Sequence, residues 1–216
     1  MKSPKDDSLN EILAAIEREF PDIRTELVYE TPFQFLMAVM LSAQTTDKQV
    51  NRVTPPIFAQ VRSSADLAIL PLSEFEPMIR SVNFFRNKAR HIHATAKILH
   101  ERYGDVVPDD LDSLVAMPGI GMKTAKVVLG VLYDRPYVGV DTHVHRVLNR
   151  IGIVRTKTPL ETDREVERRF TEDQKHTIHH PLVLFGRYRC LARKPRCGDC
   201  PLRPKCLYYQ HHIDPA

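Results

Sequence analysis

The sequence has no apolar run long enough to cross a membrane. None of its segments reaches about 18 consecutive apolar residues. The N-terminal segment has neither the apolar core of a secretory signal nor the Arg- and Ser-rich character of a transit peptide. The 216 residues suffice for one large domain or two small ones. These features predict a cytoplasmic protein, and the short N-terminus favours a prokaryotic source.

A large excess of one charge is also missing. The 31 basic and 27 acidic residues give a net charge of +4, which is weak evidence for a polyanionic partner. The distribution is more informative, because a short segment near the C-terminus holds many cations and one acid, Asp199. The cations are Arg187, Arg189, Arg193, Lys194, Arg196, Arg203 and Lys205. Such a patch attracts phosphate even in a nearly balanced chain, although a solubilising tail has the same composition.

Strand signals are scarce, and apolar residues recur at helical spacing almost throughout the chain. Thr31 and Thr158 each precede a proline, which is typical of a helix start. Ser8 and Ser73 are also predicted to cap helices, and Gly104 is predicted to end a long one. The pattern predicts an all-α protein of roughly ten short helices.

A glycine-rich turn joins two of the predicted helices. Their apolar residues stop at Pro118 and resume at Ala125, with PGIG between them. Gly119 and Gly121 can adopt positive φ and carry no Cβ, so the backbone there can approach another molecule closely. The second helix is predicted to begin near Lys123, and the unpaired N–H groups of a helix start bind anions such as DNA phosphate. An ordinary αα-hairpin packed on its glycines is the alternative.

Lys123 and Asp141 are the candidate catalytic residues. A helix start disfavours the charged form of a lysine, which makes Lys123 a better amine nucleophile. Asp141 follows 18 positions later, after one predicted helix and a short buried connector, so the chain can return it to Lys123. Local features leave other interpretations open: Lys123 as a phosphate contact and Asp141 as an N-cap.

All four cysteines lie in one short segment, at Cys190, Cys197, Cys200 and Cys206. Their spacing, C-x6-C-x2-C-x5-C, differs from the paired C-x2-C of zinc ribbons. One compact loop with four thiolates suits a [4Fe–4S] cluster, which is held by four cysteines. Zinc and disulfides are the alternatives.

Taken together, these segments resemble the endonuclease III family of DNA glycosylase/AP lyases. The resemblance covers about residues 8–209. It rests on LSAQTTDKQVN (41–51), MPGIGMKTAKVVLGV (117–131), VDTHVHRVLNRIGI (140–153), HHPLVLFGRYRCLARKPRCGDCPL (179–202) and Cys206.

The resemblance implies a monomer with two α-helical lobes flanking a DNA cleft. One lobe is expected to be a six-helix barrel over residues 26–135, with the helix-hairpin-helix motif at about 111–132. The other is expected to be a discontinuous iron–sulfur lobe from residues 1–25 and 136–216, with its cluster loop at 190–206.

The resemblance also implies a function in base excision repair, on the DNA of the nucleoid. The expected substrates are oxidised pyrimidines and abasic sites in duplex DNA, with the nucleotide flipped out of the stack. Lys123 is expected to attack C1′, expel the base and form a Schiff base, after which β-elimination cuts 3′ to the abasic site. Asp141 would stabilise the sugar charge and help activate the amine. Backbone carbonyls near Val115, Met117 and Ile120 are expected to hold a monovalent cation.

Several further residues match family positions that face DNA. Gln44 would fill the vacated stack, Phe84 would wedge into the opposite strand, and His143 would lie near the cleft. A core aromatic is the alternative for Phe84. The expected DNA contacts are Gln44, Phe84, Gly119, Gly121, His143, Arg187, Arg193, Lys194 and Arg196. Asn83 departs from the glycine usual in the family, which is expected to alter lesion or opposite-base preference.

Two other functions share some of these features. A monofunctional adenine or thymine mismatch glycosylase of the same superfamily typically lacks the hairpin lysine, so Lys123 favours the lyase. A noncatalytic iron–sulfur DNA-binding protein would need neither Lys123 nor Asp141, and both are present.

Overall fold

The computed structural model describes residues 6–21 and 25–213. Over these residues the chain forms twelve α-helices and no β-strand, so the all-α prediction is confirmed. The helices are α1 (Asp6–Glu19), α2 (Pro32–Ser42), α3 (Asp47–Phe58), α4 (Ser64–Ile69), α5 (Leu72–Met78), α6 (Phe85–Tyr103), α7 (Leu111–Val115), α8 (Met122–Tyr133), α9 (Thr142–Ile151), α10 (Pro159–Arg169), α11 (Glu172–Leu184) and α12 (Leu207–His212). A π-helical turn (Phe185–Arg189) continues α11, and a 3-10 turn (Arg203–Lys205) precedes α12. No helix in the described ranges is long and apolar enough to cross a membrane.

Local capping chemistry sets several helix ends. The Thr31 hydroxyl accepts a hydrogen bond from the Gln34 N–H (3.2 Å) at the start of α2. The Thr158 hydroxyl accepts one from the Glu161 N–H (3.2 Å) at the start of α10. The long helix α6 ends at Gly104, whose φ of +56° is left-handed. All three ends are as predicted, because each depends on residues within one turn of the helix end.

Two predicted caps are wrong. Helix α1 already begins at Asp6, so Ser8 lies inside its first turn. Helix α5 begins at Leu72, and its N-cap position is occupied by Pro71, which makes no side-chain cap bond. Because proline fixes φ near the helical value, the chain enters the helix directly after it. Ser73 therefore lies one residue inside α5.

The chain divides into two compact units, of which one comprises Thr25–Asp134. Its central helix is α2, which is apolar on nearly every face and buries every residue from Phe33 to Leu41. Helices α3, α6 and α8 pack against α2, while α4 and α5 pack on α6 and α7 packs on α8. A helix that is hydrophobic all round belongs in a core. Helix α2 is therefore the core helix of this unit.

The other unit is discontinuous and comprises Met1–Arg24 and Arg135–Ala216. In its described part, α1 packs on α11, and α9 contacts α10, α11, α12 and the π-helical turn. The predicted buried connector before α9 contributes Val138 and Val140 to this core. Cys190 and Cys200 pack against the same core. The cysteine segment therefore rests on the hydrophobic interior of this unit.

Candidate functional site

The predicted hairpin is present as α7, a tight turn and α8. Gly119 has a φ of +77°, and a Cβ placed on it would lie 2.7 Å from the Cβ of His91 on α6. The Thr95 hydroxyl, also on α6, donates to the Pro118 carbonyl (3.0 Å) and holds the turn in place. Gly119 thus adopts the positive φ that glycine allows, whereas Gly121 has an ordinary φ of −91°. Gly121 is the N-cap of α8, and that position takes an extended backbone.

Lys123 is the second residue of α8 and is exposed. The first helical bond of α8 runs from the Ala125 N–H to the Gly121 carbonyl (3.0 Å), and no side chain caps this end. The backbone N–H groups of the first turn therefore have no intrahelical partner and can receive an anion. The predicted start of the second helix is confirmed.

The turn also contains the carbonyls expected to hold a cation. Met117 and Ile120 are buried, whereas Val115 is more than one-third exposed. The Met117 carbonyl accepts a hydrogen bond from the Ile120 N–H (3.2 Å), which leaves one lone pair for another partner. The monovalent cation stays a prediction.

Asp141 is the N-cap of α9. One carboxylate oxygen, Oδ1, accepts hydrogen bonds from the N–H groups of His143 (2.8 Å) and Val144 (2.9 Å). The N-cap role is therefore confirmed, and the carboxylate is held by the backbone of its own helix. Lys123 belongs to the Thr25–Asp134 unit and Asp141 to the other. Their proximity stays a prediction.

Two arginines on α9 that are not among the predicted site residues hold the chain around the first cysteine. Arg146 donates to the carbonyls of Gly186 (2.6 Å) and Cys190 (2.9 Å). Arg150 donates to the carbonyls of Leu191 (2.7 Å) and Ala192 (2.9 Å). In the sequence, these two arginines are marked only by their spacing of four residues, which places both on one face of a helix.

His143 lies in the first turn of α9, close to the π-helical turn. Its ring Nδ1 is 3.2 Å from a guanidinium nitrogen of Arg146. A Cβ placed on Gly186 would lie 2.7 Å from the Cβ of His143, so only glycine allows this close approach. Burial lowers the pKa of Arg146, which nonetheless stays charged. The His143 side chain is therefore positioned by the same arginine that holds the cysteine segment.

The four cysteines line one cavity, together with apolar side chains that include Phe185 and Leu202. All four are free thiols, so the disulfide alternative is wrong. Burial raises the pKa of Cys200 to about 11 and also raises the pKa values of Cys197 and Cys206. Within the described residues, no three His, Cys, Asp or Glu side chains converge on a single metal-ion position.

The basic segment, residues 187–205, contains cations with two different roles. Arg189 forms ion pairs with Glu19 of α1 (2.5 Å) and with Asp199 (2.5 Å), which raise the pKa of its guanidinium. Lys205 pairs with Glu11 of α1. These two cations therefore tie the cysteine segment to the N-terminal helix. The exposed cations of the segment include Arg193, Lys194 and Arg196, whereas Arg187 is partly buried.

Gln44 and Phe84 lie on neighbouring loops of the Thr25–Asp134 unit. Both are exposed, and Phe84 keeps 63% of its surface accessible, so the alternative of a core aromatic is wrong. Both also have left-handed backbones, with φ values of +56° and +58°. The Asn83 side-chain amide donates to the Gln44 carbonyl (2.6 Å), so the two loops are bonded to each other.

Comparisons with known proteins agree on one family. The family description "HhH-GPD superfamily base excision DNA repair protein" matches residues 37–172. Endonuclease III of Bacillus subtilis is 44% identical over 188 residues, which are 87% of this chain and 86% of that protein. A solved structure of a non-covalent endonuclease III–DNA complex is 38% identical, with a TM-score of 0.90, and covers 97% of this chain and 99% of its own. A trapped endonuclease III–DNA covalent intermediate has the same identity and coverage and a TM-score of 0.91.

Proposed function

Because the chain belongs to the endonuclease III family of base excision DNA repair proteins, we propose that it is a bifunctional DNA glycosylase and AP lyase. It removes oxidised pyrimidines from duplex DNA and cuts the strand 3′ to the resulting abasic site. The observation that carries this proposal is the position of Lys123, an exposed amine in the first turn of a helix that has no side-chain cap. The bacterial source of its relative supports action on bacterial chromosomal DNA in the cytoplasm.

Lys123 is the nucleophile in this proposal. Its uncharged amine attacks C1′ of the flipped nucleotide, and the bond from C1′ to the base breaks as the new C–N bond forms. The base departs with the bonding electrons and takes up a proton. The sugar ring then opens to a Schiff base, a proton leaves C2′, and the 3′ phosphate is expelled by β-elimination.

Asp141 is the electrostatic partner. Positive charge develops on the sugar as the base departs, and a fixed carboxylate stabilises that charge without reorganising. The two N–H groups that bond Oδ1 hold the carboxylate in one orientation. The Asp141 carboxylate is proposed to face the sugar and to accept a proton from the amine.

The two hairpin glycines differ in whether the fold itself requires them. Gly119 is required by the fold itself, because a side chain there would collide with His91. Gly121 is not required by the fold, since a Cβ on it would meet no atom within 4 Å. A surface that stays open beside an uncapped helix start suits a phosphate. Exposed cations of the cysteine segment, Arg193 among them, supply further phosphate contacts, and Arg187 is proposed beside them.

The four cysteines are proposed to hold a [4Fe–4S] cluster. The four thiols line one shared cavity, which fits a group whose four iron atoms each take one thiolate. Buried thiols with raised pKa values also need a bound cation to become thiolates. When bound, the cluster cross-links the segment that carries the exposed cations.

Borohydride trapping on a duplex with one thymine glycol tests the proposed function. We expect a covalent protein–DNA adduct for the wild type and none for Lys123→Ala, which should still bind the duplex. Lys97→Ala is the matched control, because Lys97 is also an exposed helical lysine of the same unit. Adduct formation by Lys123→Ala at the wild-type level would refute the nucleophile. Base excision without any adduct would identify a monofunctional glycosylase instead.

A further inference from the structure

The loops of Gln44 and Phe84 hold their backbones in a conformation that neither residue favours. Both φ values lie in the left-handed region, where a Cβ crowds the backbone. Residues persist there only when the surrounding structure holds them, and such positions cluster at functional sites. The hydrogen bonds around Gln44 and Phe84 therefore show which residues hold these two backbones in place.

Most of the holding bonds come from the N-terminal end of α6. The Lys88 ammonium group donates to the carbonyls of Leu41 (2.6 Å) and Ala43 (2.6 Å) and to the Thr45 hydroxyl (3.0 Å). Burial lowers the pKa of Lys88 to about 8, so the group is mostly charged at neutral pH and can make all three bonds. Lys88 thus fixes the chain on both sides of Gln44.

Asn83 bonds the central residue of that loop. Its amide donates to the carbonyl of Gln44 (2.6 Å), and Asn83 directly precedes Phe84. A third link runs from the Gln49 amide to the Ser81 hydroxyl (2.9 Å). The backbones that carry the two exposed side chains are therefore linked by hydrogen bonds. The most direct link is the bond from Asn83 to Gln44.

We propose that Asn83 is a positioning residue that couples Phe84 to Gln44, so that both side chains enter the DNA as one preorganised pair. This inference rests on the proposed function and deepens it. Phe84 meets the strand opposite the lesion, and Gln44 fills the space that the flipped nucleotide leaves. Fixing the two in advance removes an ordering cost from DNA binding. It also fixes how far Phe84 reaches toward the opposite base, which makes Asn83 a determinant of opposite-base preference.

The test changes the side-chain amide of Asn83, which donates the hydrogen bond to the Gln44 carbonyl. Asn83→Ala removes the amide donor, and Asn83→Asp keeps the shape while replacing the donor by an acceptor. The matched controls are Asn87→Ala and Asn87→Asp, because Asn87 is exposed in the first turn of α6 and its side-chain oxygen accepts a hydrogen bond from Arg90 of the same helix. The aspartate control separates loss of the donor from the repulsion between an added negative charge and DNA.

The probe is a duplex with a stable abasic-site analogue and, opposite it, a fluorescent adenine analogue that brightens on unstacking. We expect the wild type to raise the emission and Phe84→Ala to abolish the rise. Asn83→Ala should reduce the rise at saturation and weaken binding about two- to tenfold, the value of one hydrogen bond. It should also change the ratio of dissociation constants measured with each of the four natural opposite bases. Asn87→Ala should behave as the wild type, and Asn87→Asp should show only the loss of affinity that the added charge causes.

Two results would overturn the inference. One is an emission rise and an opposite-base ratio in Asn83→Ala and Asn83→Asp that equal those of the wild type. The other is a wild type that leaves the emission unchanged, since Phe84 would then not enter the stack. Borohydride trapping on a natural abasic site separates this failure from that of the proposed function. Adducts from both the wild type and Asn83→Ala would leave the lyase assignment intact.

Discussion

Three glycines of the Thr25–Asp134 unit should respond differently to the same change to alanine. Gly119 has a φ of +77° and a close neighbour, Gly104 has a φ of +56° and open space, and Gly121 has an ordinary φ of −91° and open space. The series therefore separates the cost of a left-handed backbone from the cost of a collision. It also separates both from an effect on DNA.

The expected losses of folding stability can be worked out from these geometries. Holding an alanine in the left-handed region costs about 1–2 kcal/mol, which is the whole expected loss for Gly104→Ala. In Gly119→Ala the new methyl group also meets three atoms of His91 at 2.7–3.0 Å. Such overpacking adds about 1–3 kcal/mol. The total of about 2–5 kcal/mol corresponds to a melting temperature lower by on the order of 10 °C for a chain of this size.

Gly121→Ala should leave the fold nearly unchanged and weaken DNA binding. The stability change should stay within about 1 kcal/mol, since alanine is only a poorer N-cap. The methyl group would stand where a phosphate approaches the first turn of α8. Loss of one charge-assisted hydrogen bond lowers affinity by about tenfold or more.

Thermal unfolding and DNA binding by fluorescence anisotropy measure the two effects on the same samples. Wild-type melting of Gly119→Ala would refute the collision with His91. Wild-type DNA affinity of Gly121→Ala would refute the hairpin as the phosphate site.

Three further predictions concern the charged and cysteine residues. Asp141→Asn keeps an N-cap acceptor but loses the charge, so single-turnover base excision should slow by about 10²-fold while binding holds; an unchanged rate would exclude the electrostatic role. Cys200→Ser should lose the iron and the brown absorbance of the purified protein, and an iron-free, colourless wild type would exclude the cluster. Binding should weaken steeply with salt, and Lys194→Ala should reduce the slope of log affinity against log salt by about 1. Lys205→Ala should leave that slope unchanged, because Lys205 is paired with Glu11. Equal slopes for Lys194→Ala and Lys205→Ala would refute the two roles assigned to the cations of the basic segment.

The sequence predicted those parts of the fold that depend on short-range chemistry. The ends at Thr31, Gly104 and Thr158 follow from residues within one turn, and so does the N-cap role of Asp141. The wrong prediction of an N-cap at Ser73 also has a local cause, because Pro71 occupies the N-cap position of α5 and makes no side-chain cap bond. Short-range signals identify helices well and fix their first residue less well.

Contacts between distant parts of the chain could not be predicted in the same way. Arg146 and Arg150 bond carbonyls about 40 residues further along, and nothing beside them in the sequence indicates these acceptors. Arg189 and Lys205 look like phosphate contacts in the sequence, yet they pair with acids of α1. A positive charge shows that a residue seeks an anion, but only the fold decides whether the anion is a carboxylate or a phosphate.

The contacts of α9 predict which part of the reaction depends on the cysteine segment. The carboxylate of Asp141 accepts hydrogen bonds from N–H groups of its own helix. The exposed Arg193 and Lys194 belong to that segment, whose first residues are bonded by Arg150. Loss of the cluster in Cys200→Ser should therefore weaken DNA binding much more than it slows excision in the bound state. Single-turnover kinetics at increasing protein concentration measure both, and a slower rate at saturation with unchanged half-saturation would contradict this division.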